Sequence, residues 1–197
     1  MRHLPRLALP ALPRGLVPAA LPPLLAACGG APTAGAGPTA PGQAIVAMAV
    51  VESRSGSTLS GLVTFTQLGD TVLVSANIQG ASPGKHGFHV HEHGDCSAPD
   101  ATSAGPHYNP GGVQHTLPGH GTGHPGDLGN VVIGADGKGQ VEVEIHDVTL
   151  DDGPRSILNR SVVVHEREDD GTQPFGNAGP RQGCGLIKLK DLTKLGH

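Results

Sequence analysis

Tryptophan is absent from this sequence, and aromatic residues of all kinds make up only 2% of it. The core of any folded domain must therefore be built from Val, Ile, Leu and Ala. Positive charge is also scarce, because 13 Lys and Arg residues face 17 Asp and Glu residues, for a net charge of −4. This balance argues against a general basic surface, so we expect no nucleic-acid partner.

Long apolar runs are missing as well, which argues against a transmembrane helix. Residues 1–27 instead have the layout of a secretory signal, with three arginines before a charge-free apolar stretch. The letters LAAC at 25–28 resemble the lipobox of bacterial lipoproteins, in which the cysteine becomes the lipidated first residue. The prolines in the stretch weaken a signal helix, so a disordered leader with a chance cysteine is the alternative.

We therefore expect a signal peptide over 1–27, lipidation at Cys28, a flexible Gly/Ala/Pro tether over 28–43 and a folded domain over 44–197. The protein is then exported to the bacterial periplasm or cell envelope, and touches the membrane only through the lipid at Cys28. Three cysteines are an odd number for an exported protein. Lipidation of Cys28 would leave Cys96 and Cys184 as a disulfide pair in an oxidising compartment.

The body of the chain is β-like, and no long amphipathic helical pattern occurs in it. Turn residues separate the short runs, with Gly-Asp at 69–70 and ADGKG at 135–139 typical of hairpins. Eight such runs predict an all-β, eight-stranded antiparallel Greek-key barrel or sandwich. The predicted strands are 44–51, 60–66, 71–78, 86–91, 129–134, 140–145, 162–166 and 185–190.

Histidine is concentrated where the strands give way to a long connection. Eight of the twelve histidines lie within 86–124, and the region 92–127 is rich in Gly, Pro and His. In GFHVHEHGDC, His89, His91 and His93 alternate with other residues, so an extended strand would place them on one face. Imidazole suits copper and zinc, and carboxylate suits zinc, so this clustering predicts a metal site.

The motifs GFHVHE, GDLGN, VVVHE and GNAGPRQGCG resemble the signatures of the copper–zinc superoxide dismutase family, in the family's order. The resemblance covers about residues 44–190. It implies an eight-stranded Greek-key β-barrel with long metal-binding and electrostatic loops. It also implies an oxidoreductase that uses Cu(II)/Cu(I) and Zn(II) to convert superoxide to dioxygen and hydrogen peroxide.

The resemblance further implies two metal sites that share one residue. The copper ligands would be His89, His91, His107 and His165. The zinc ligands would be His107, His115, His124 and Asp127. The shared histidine would bridge the ions and gain a proton when copper is reduced.

Two further residues have roles implied by the resemblance. Arg181 matches the family's anion-guiding arginine, which would attract superoxide to an otherwise acidic protein. Asp169 matches a carboxylate that links a copper-ligand and a zinc-ligand histidine. The segment 169–176 is shorter than in eukaryotic members, which leaves open what else besides Arg181 guides the substrate.

Other histidines are not assigned to metal. His93 stands where the family commonly has Phe, and its strand is expected to end at Gly94. His120 lies in the zinc loop, but the family spacing favours His115 and His124. His86 is expected to be structural and His146 to be exposed.

Two rival functions need fewer of these features. A copper- or zinc-buffering envelope lipoprotein on the same fold needs ligands but no anion guide. An adhesion or structural sandwich needs neither. Arg181, the candidate bridge and the cysteine pair therefore favour an enzyme that protects the cell envelope from superoxide. The sequence leaves the oligomeric state open, with a homodimer as one option.

Overall fold

A computed structural model gives the structure of the chain and describes residues 44–190. The predicted signal peptide, the lipidation site at Cys28 and the tether lie outside the described residues, as do the last seven residues of the predicted domain. Within 44–190, no helix is long and apolar enough to cross a membrane. The helical structure described there is one short 3₁₀ turn, Thr102–Ala104.

Nine antiparallel strands form a barrel that is nearly closed. The strands are β1 (Val46–Ser53), β2 (Ser60–Leu68), β3 (Thr71–Gln79), β4 (Gly84–His91), β5 (Asp127–Ile133), β6 (Lys138–Ile145), β7 (Ser161–His165), β8 (Arg181–Leu186) and β9 (Lys188–Leu189). Their order is β5-β4-β7-β8-β1-β2-β3-β6, with β9 beside β1. The connections β3–β4 and β6–β7 join strands that are not neighbours, as in a Greek key. The prediction of an all-β, eight-stranded barrel is confirmed, since eight strands form the continuous path and β9 is a two-residue strand beside β1.

The core follows from alternation in the strands whose outer face meets solvent, whereas β4 ends in six buried residues and β7 is buried throughout. In β3, Val72, Val74, Ala76 and Ile78 are at most 2% exposed, while the residues between them face outward. Aliphatic side chains dominate the interior, joined by Phe65, Phe88 and Tyr108. Each fully buried Val, Leu, Ile or Phe contributes roughly 1.5–3 kcal/mol through removal from water. The scarcity of aromatic residues therefore does not prevent a continuous core.

The β2–β3 hairpin forms where the sequence predicts it. Leu68 pairs with Thr71, which leaves Gly69 and Asp70 as a two-residue loop. Gly69 has φ +61°, the left-handed region that such a loop favours and that glycine adopts without a Cβ penalty. This turn fixes the register of the hairpin, and with it the face that each strand buries.

The last predicted strand, 185–190, differs from the structure. Pairing begins four residues earlier, at Arg181, and is interrupted at Ile187, whose N–H donates to the carbonyl of Arg160 (2.9 Å). On either side of that break, β8 pairs with the end of β1 and β9 pairs with its beginning. The segment RQGC has no apolar alternation, so the pattern did not reveal the start of the strand.

The predicted disulfide is confirmed. Cys96, in the connection after β4, is bonded to Cys184 in β8, and the two are 88 residues apart in sequence. The bridge is buried in a small cluster with Ala101, Ala104 and Val163. It therefore ties the long connection to the barrel next to the strand that begins with Arg181.

We expect the double substitution Cys96→Ser and Cys184→Ser to lower the free energy of unfolding by about 2–5 kcal/mol, because opening a long loop restores entropy to the unfolded chain. Urea denaturation measures this loss. A thiol reductant should lower the unfolding midpoint of the wild type and leave that of the double variant unchanged. Equal midpoints for oxidised wild type and variant would show that the bridge contributes no stability.

Candidate metal centre

Strand parity places histidines on the outer face of two neighbouring strands. In β4, Phe88 and Val90 point into the core, so His89 and His91 point to the opposite face. Both histidines are nevertheless 0% exposed, because the long connections cover this side of the barrel. His165, at the end of the adjacent β7, lies on the same covered side and is 6% exposed.

His107 reaches this group because its segment runs antiparallel to the end of β4. A β-bridge joins His91 and His107. On either side of it, Glu92 N–H donates to the carbonyl of Pro106, and Tyr108 N–H donates to the carbonyl of Val90, each at 2.8 Å. A histidine 16 positions further along the chain is thereby placed beside the two strand histidines.

The four residues predicted as copper ligands come together. One potential ligand atom from each lies within 4.8 Å of the others, and all four side chains are buried. The members are His89, His91, His107 and His165.

Two of these rings face each other with bare lone pairs. His91 Nδ1 donates to the carbonyl of Gly105 (2.8 Å), and His165 Nδ1 donates to the carbonyl of Gly179 (3.0 Å). A neutral imidazole carries one N–H, so Nε2 is unprotonated in both rings. These two Nε2 atoms are 3.4 Å apart. Since neither can donate to the other, a cation bound between them would remove a repulsion.

His89 presents a third bare nitrogen. Its Nε2 donates to Asp169 Oδ2 (2.8 Å), so its Nδ1 is the unprotonated atom. That Nδ1 is buried and has no hydrogen-bond partner among the described residues. A buried polar atom without a partner is costly, and a metal ion would satisfy it. The four-imidazole set therefore fits copper, which imidazole ligands suit.

The second predicted group also forms. Its members are His107, His115, His124 and Asp127, with potential ligand atoms within 4.8 Å of one another. The Nδ1 atoms of the three rings lie 3.0, 2.8 and 3.1 Å from the Asp127 carboxylate. Three nitrogens and one carboxylate oxygen are an ordinary donor set for tetrahedral zinc. This group therefore fits zinc.

The Asp127 carboxylate stays ionised in this surrounding. Burial by itself raises the pKa of Asp127, but hydrogen bonds from His107 and His124 outweigh burial and lower it. Asp127 is the first residue of β5 and pairs with His89 of β4. The sheet therefore fixes one negative charge among the three histidines of the second group.

Asp169 joins the two groups through one carboxylate. Its Oδ2 accepts from His89, and its Oδ1 accepts from His115 Nε2 (2.9 Å), while the residue is 0% exposed. His115 then turns an unprotonated Nδ1 toward Asp127 Oδ2, and a lone pair facing a carboxylate at 2.8 Å is repulsive without a cation between them. The carboxylate thus selects the tautomer that frees a nitrogen in each group.

The buried rings are held neutral. Burial, followed by the nearby His107 and His165, lowers the pKa of both His89 and His91 well below its usual range. Burial also lowers the pKa of His165, to about 4. Near neutral pH these rings therefore offer lone pairs rather than positive charges.

A cavity of about 400 Å³ opens onto His91, His107 and His165. Arg181 lines it and is fixed by hydrogen bonds from Nη1 to the carbonyl of Ala101 and from Nη2 to that of Gly105, both 2.7 Å. Burial lowers the pKa of Arg181, yet a guanidinium stays charged at any physiological pH. The cavity therefore carries a positive charge at a defined position.

Sequence reasoning missed Asn130 and Arg167. Asn130 Nδ2 donates to the carbonyl of Asp169 (2.9 Å), and its Oδ1 accepts from the Asp169 N–H (2.8 Å), which fixes that residue's main chain. Asn130 is a polar residue in the GDLGN motif at the start of a strand, and this was the sequence feature that could have revealed its role. Arg167 is exposed and lines the same cavity as Arg181, and it was hidden in the acidic run EREDD.

The remaining histidines lie outside both groups. His86 is 1% exposed, with its ring nitrogens 2.8 Å from the carbonyl oxygens of His165 and Ser82. Exposed histidines that belong to neither group are His93, His120 and His146.

The chain is similar to known proteins in sequence and in fold. The family model described as copper/zinc superoxide dismutase (SODC) matches residues 59–187. The extracellular superoxide dismutase [Cu-Zn] of Brugia pahangi is 40% identical over 153 residues, which cover 73% of this chain and 75% of that protein. The crystal structure of the clock protein EA4 has a TM-score of 0.67 and 38% identity, and the match covers 74% of this chain and 94% of that chain.

We expect the metal-free protein to lose stability as the pH falls from about 6.5 to about 4. His165 has a folded pKa of about 4, below its unfolded value of about 6.5, so the unfolded chain binds more protons in this window. His89, His91 and His107 act in the same direction.

Urea denaturation at a series of pH values measures this slope. Substituting His165→Asn should flatten it, because this variant removes one of the rings whose pKa is lowered by folding. A free energy of unfolding that stays constant from pH 6.5 to 4 would contradict neutral, buried histidines.

Proposed function

The chain belongs to the copper/zinc superoxide dismutase family, and from that premise we propose how its own residues convert superoxide to dioxygen and hydrogen peroxide. The proposed copper ligands are the four histidines of the first group. The proposed zinc ligands are the four residues of the second group. The single observation that carries this assignment is that two buried four-residue clusters meet at His107, with His89 Nδ1 buried and without a partner among residues 44–190.

Bound copper would supply the one-electron couple that oxidises one superoxide and reduces the next. The protein's part is to keep three neutral rings aimed at one point, with Asp169, Gly105 and Gly179 each accepting the proton of the nitrogen that faces away. Preset tautomers need no rearrangement when an ion binds.

His107 is proposed as the residue shared by both metals. Its Nδ1 lies beside Asp127 in the zinc group, which leaves Nε2 for the copper group. The ring also lines the cavity. A ring that is fixed on one side and reachable on the other can hold a proton at Nε2 and pass it to a peroxide in the cavity. Asp127 keeps the ring oriented in both protonation states.

Attraction of superoxide must overcome the charge of the whole protein. The net charge is −4, so the average field repels an anion. Arg181 and Arg167 line the cavity. Positive charge concentrated in a cleft raises the rate at which an anion reaches it, even when the net charge of the protein is negative. We assign Arg181 to the guidance and orientation of the anion above the copper group.

The site of action is proposed to lie outside the cytoplasm. The N-terminal segment reads as a secretory signal, and the related protein from Brugia pahangi is named extracellular. We propose export with a lipid anchor at Cys28, a tether over 28–43, and a catalytic domain from 44 onward that protects the bacterial envelope. A homodimer is compatible with this arrangement.

A metal-buffering lipoprotein would use the same ligands without turnover. Arg181 distinguishes the two functions, because two 2.7 Å hydrogen bonds hold a cation at the mouth of the proposed copper site. A metal store has no use for an anion guide.

We expect protein refolded with both ions to contain one copper and one zinc per chain and to consume superoxide. Metal analysis and a superoxide consumption assay measure this, with a copper chelator abolishing the activity. His107→Ala should lower the activity and separate the binding of the two metals. Full metal content without superoxide consumption would favour the buffering function instead.

We expect Arg181→Ala to keep its metal content and to react about 10-fold or more slowly, because a local attraction is removed. The rate should also depend less on ionic strength than in the wild type. Arg155→Ala changes the net charge equally at an exposed position and serves as the control. Equal kinetics for wild type and Arg181→Ala would remove this arginine from the mechanism.

A further inference from the structure

The segment 170–176 is a compact turn next to the second metal group. Asp170 N–H donates to the carbonyl of Gly176 (3.0 Å), and Gly176 N–H donates to that of Thr172 (2.6 Å). Gly171 N–H donates to Asp169 Oδ1 (2.9 Å). The turn therefore has a defined shape and is anchored to the carboxylate that joins the two groups.

Gln173 extends from this turn and pairs with both main-chain groups of His115. Its Oε1 accepts from the His115 N–H (3.1 Å), and its Nε2 donates to the His115 carbonyl (2.6 Å). The His115 ring is held separately by Asp127 and Asp169. One residue of the zinc group is thus fixed at its ring and at its backbone by different parts of the chain.

The loop that carries His115 is held by scattered contacts rather than by strand pairing; the main-chain N–H groups of Thr116 and His124, for example, donate to Asp127 Oδ2 (3.3 and 3.1 Å). The described residues between His107 and Asp127 form turns and irregular structure without a strand. Six glycines, at 111, 112, 119, 121, 123 and 126, increase the entropy that ordering this loop costs. Two members of the zinc group, His115 and His124, lie on it, so opening of the loop would pull both away from Asp127.

Phe175 covers the same group from outside. Its ring centroid lies 5.2 Å from that of His107 and 6.5 Å from that of His124. Phe175 itself is 47% exposed, whereas His107 and His124 are only 4% and 6% exposed. Its inner face therefore packs against the two imidazoles while its outer face meets solvent.

From these contacts we propose that Gln173 and Phe175 form a clasp that retains zinc, Gln173 by holding the His115 loop closed and Phe175 by packing against the rings of His107 and His124. Both side chains also line the cavity with Arg181, and the role proposed for them is positioning, since it acts through the histidines that they touch. The inference rests on the proposed zinc site. It assigns to a short surface turn the slow release of zinc, with a smaller effect on copper, because the other three proposed copper ligands stand on strands.

The test uses full-length protein loaded with both metals. Zinc and copper release into an excess of chelator are followed in parallel. Gln173→Ala and Phe175→Ala should each speed zinc release about tenfold. A loss of metal affinity of this size is typical when a residue that supports a metal ligand is removed. Copper release should change much less. Gln114→Ala, at an exposed glutamine next to His115, is the matched control and should release zinc at the wild-type rate.

Two conservative variants separate the parts of the clasp. Gln173→Glu keeps one acceptor oxygen but places a second one against the His115 carbonyl, so its zinc release should be at least as fast as that of Gln173→Ala. Phe175→Leu keeps an apolar cover and should stay close to wild type.

The outcomes are distinguishable. Wild-type protein that never takes up zinc would refute the proposed metal site itself. Zinc-loaded variants that release zinc at the wild-type rate would refute the clasp alone. Equal acceleration of zinc and copper release, with a lower unfolding midpoint of the metal-free variants, would show general destabilisation and would also refute the clasp.

Discussion

One buried carboxylate sets the chemistry of both metal groups. The Asp169 carboxylate accepts one hydrogen bond from His89 Nε2 and another from His115 Nε2. Each ring is thereby forced to turn its unprotonated Nδ1 inward, toward the point where the other ligands meet. Without Asp169, either ring could adopt the other tautomer and present an N–H to the metal. Asn130 and the turn at Gly171 hold this carboxylate in place.

The two groups differ in what holds them. Three of the proposed copper ligands, His89, His91 and His165, stand on paired strands, whose register fixes them to the barrel. The zinc group depends on a glycine-rich loop for His115 and His124. A loop of this kind is ordered by its contacts, which explains why a glutamine 58 residues away bonds to the His115 main chain. Strand pairing therefore holds most of the copper group in place, whereas contacts from other segments help to hold the zinc group.

Charge is distributed to suit an anionic substrate in an acidic protein. The rings that face the cavity are neutral because burial lowers the pKa of His91 and His165, so they offer lone pairs to a metal. Positive charge comes instead from Arg181, whose guanidinium is fixed by the carbonyls of Ala101 and Gly105. The disulfide from Cys96 to Cys184 ties together the two segments that form this contact.

Local order was readable from the sequence, since strand alternation and turn residues act over a few positions. Alternation predicted the barrel and the shared face of His89 and His91, Gly69-Asp70 marked a hairpin, and family motifs suggested the distant ligands. The start of β8 and the contacts of Asn130, Arg167, Gln173 and Phe175 left no such periodic signal. Gln173 touches His115 only because folding brings together segments that the sequence separates by 58 residues. Tertiary structure alone decided which nitrogens are left bare, because each tautomer depends on a partner elsewhere in the chain.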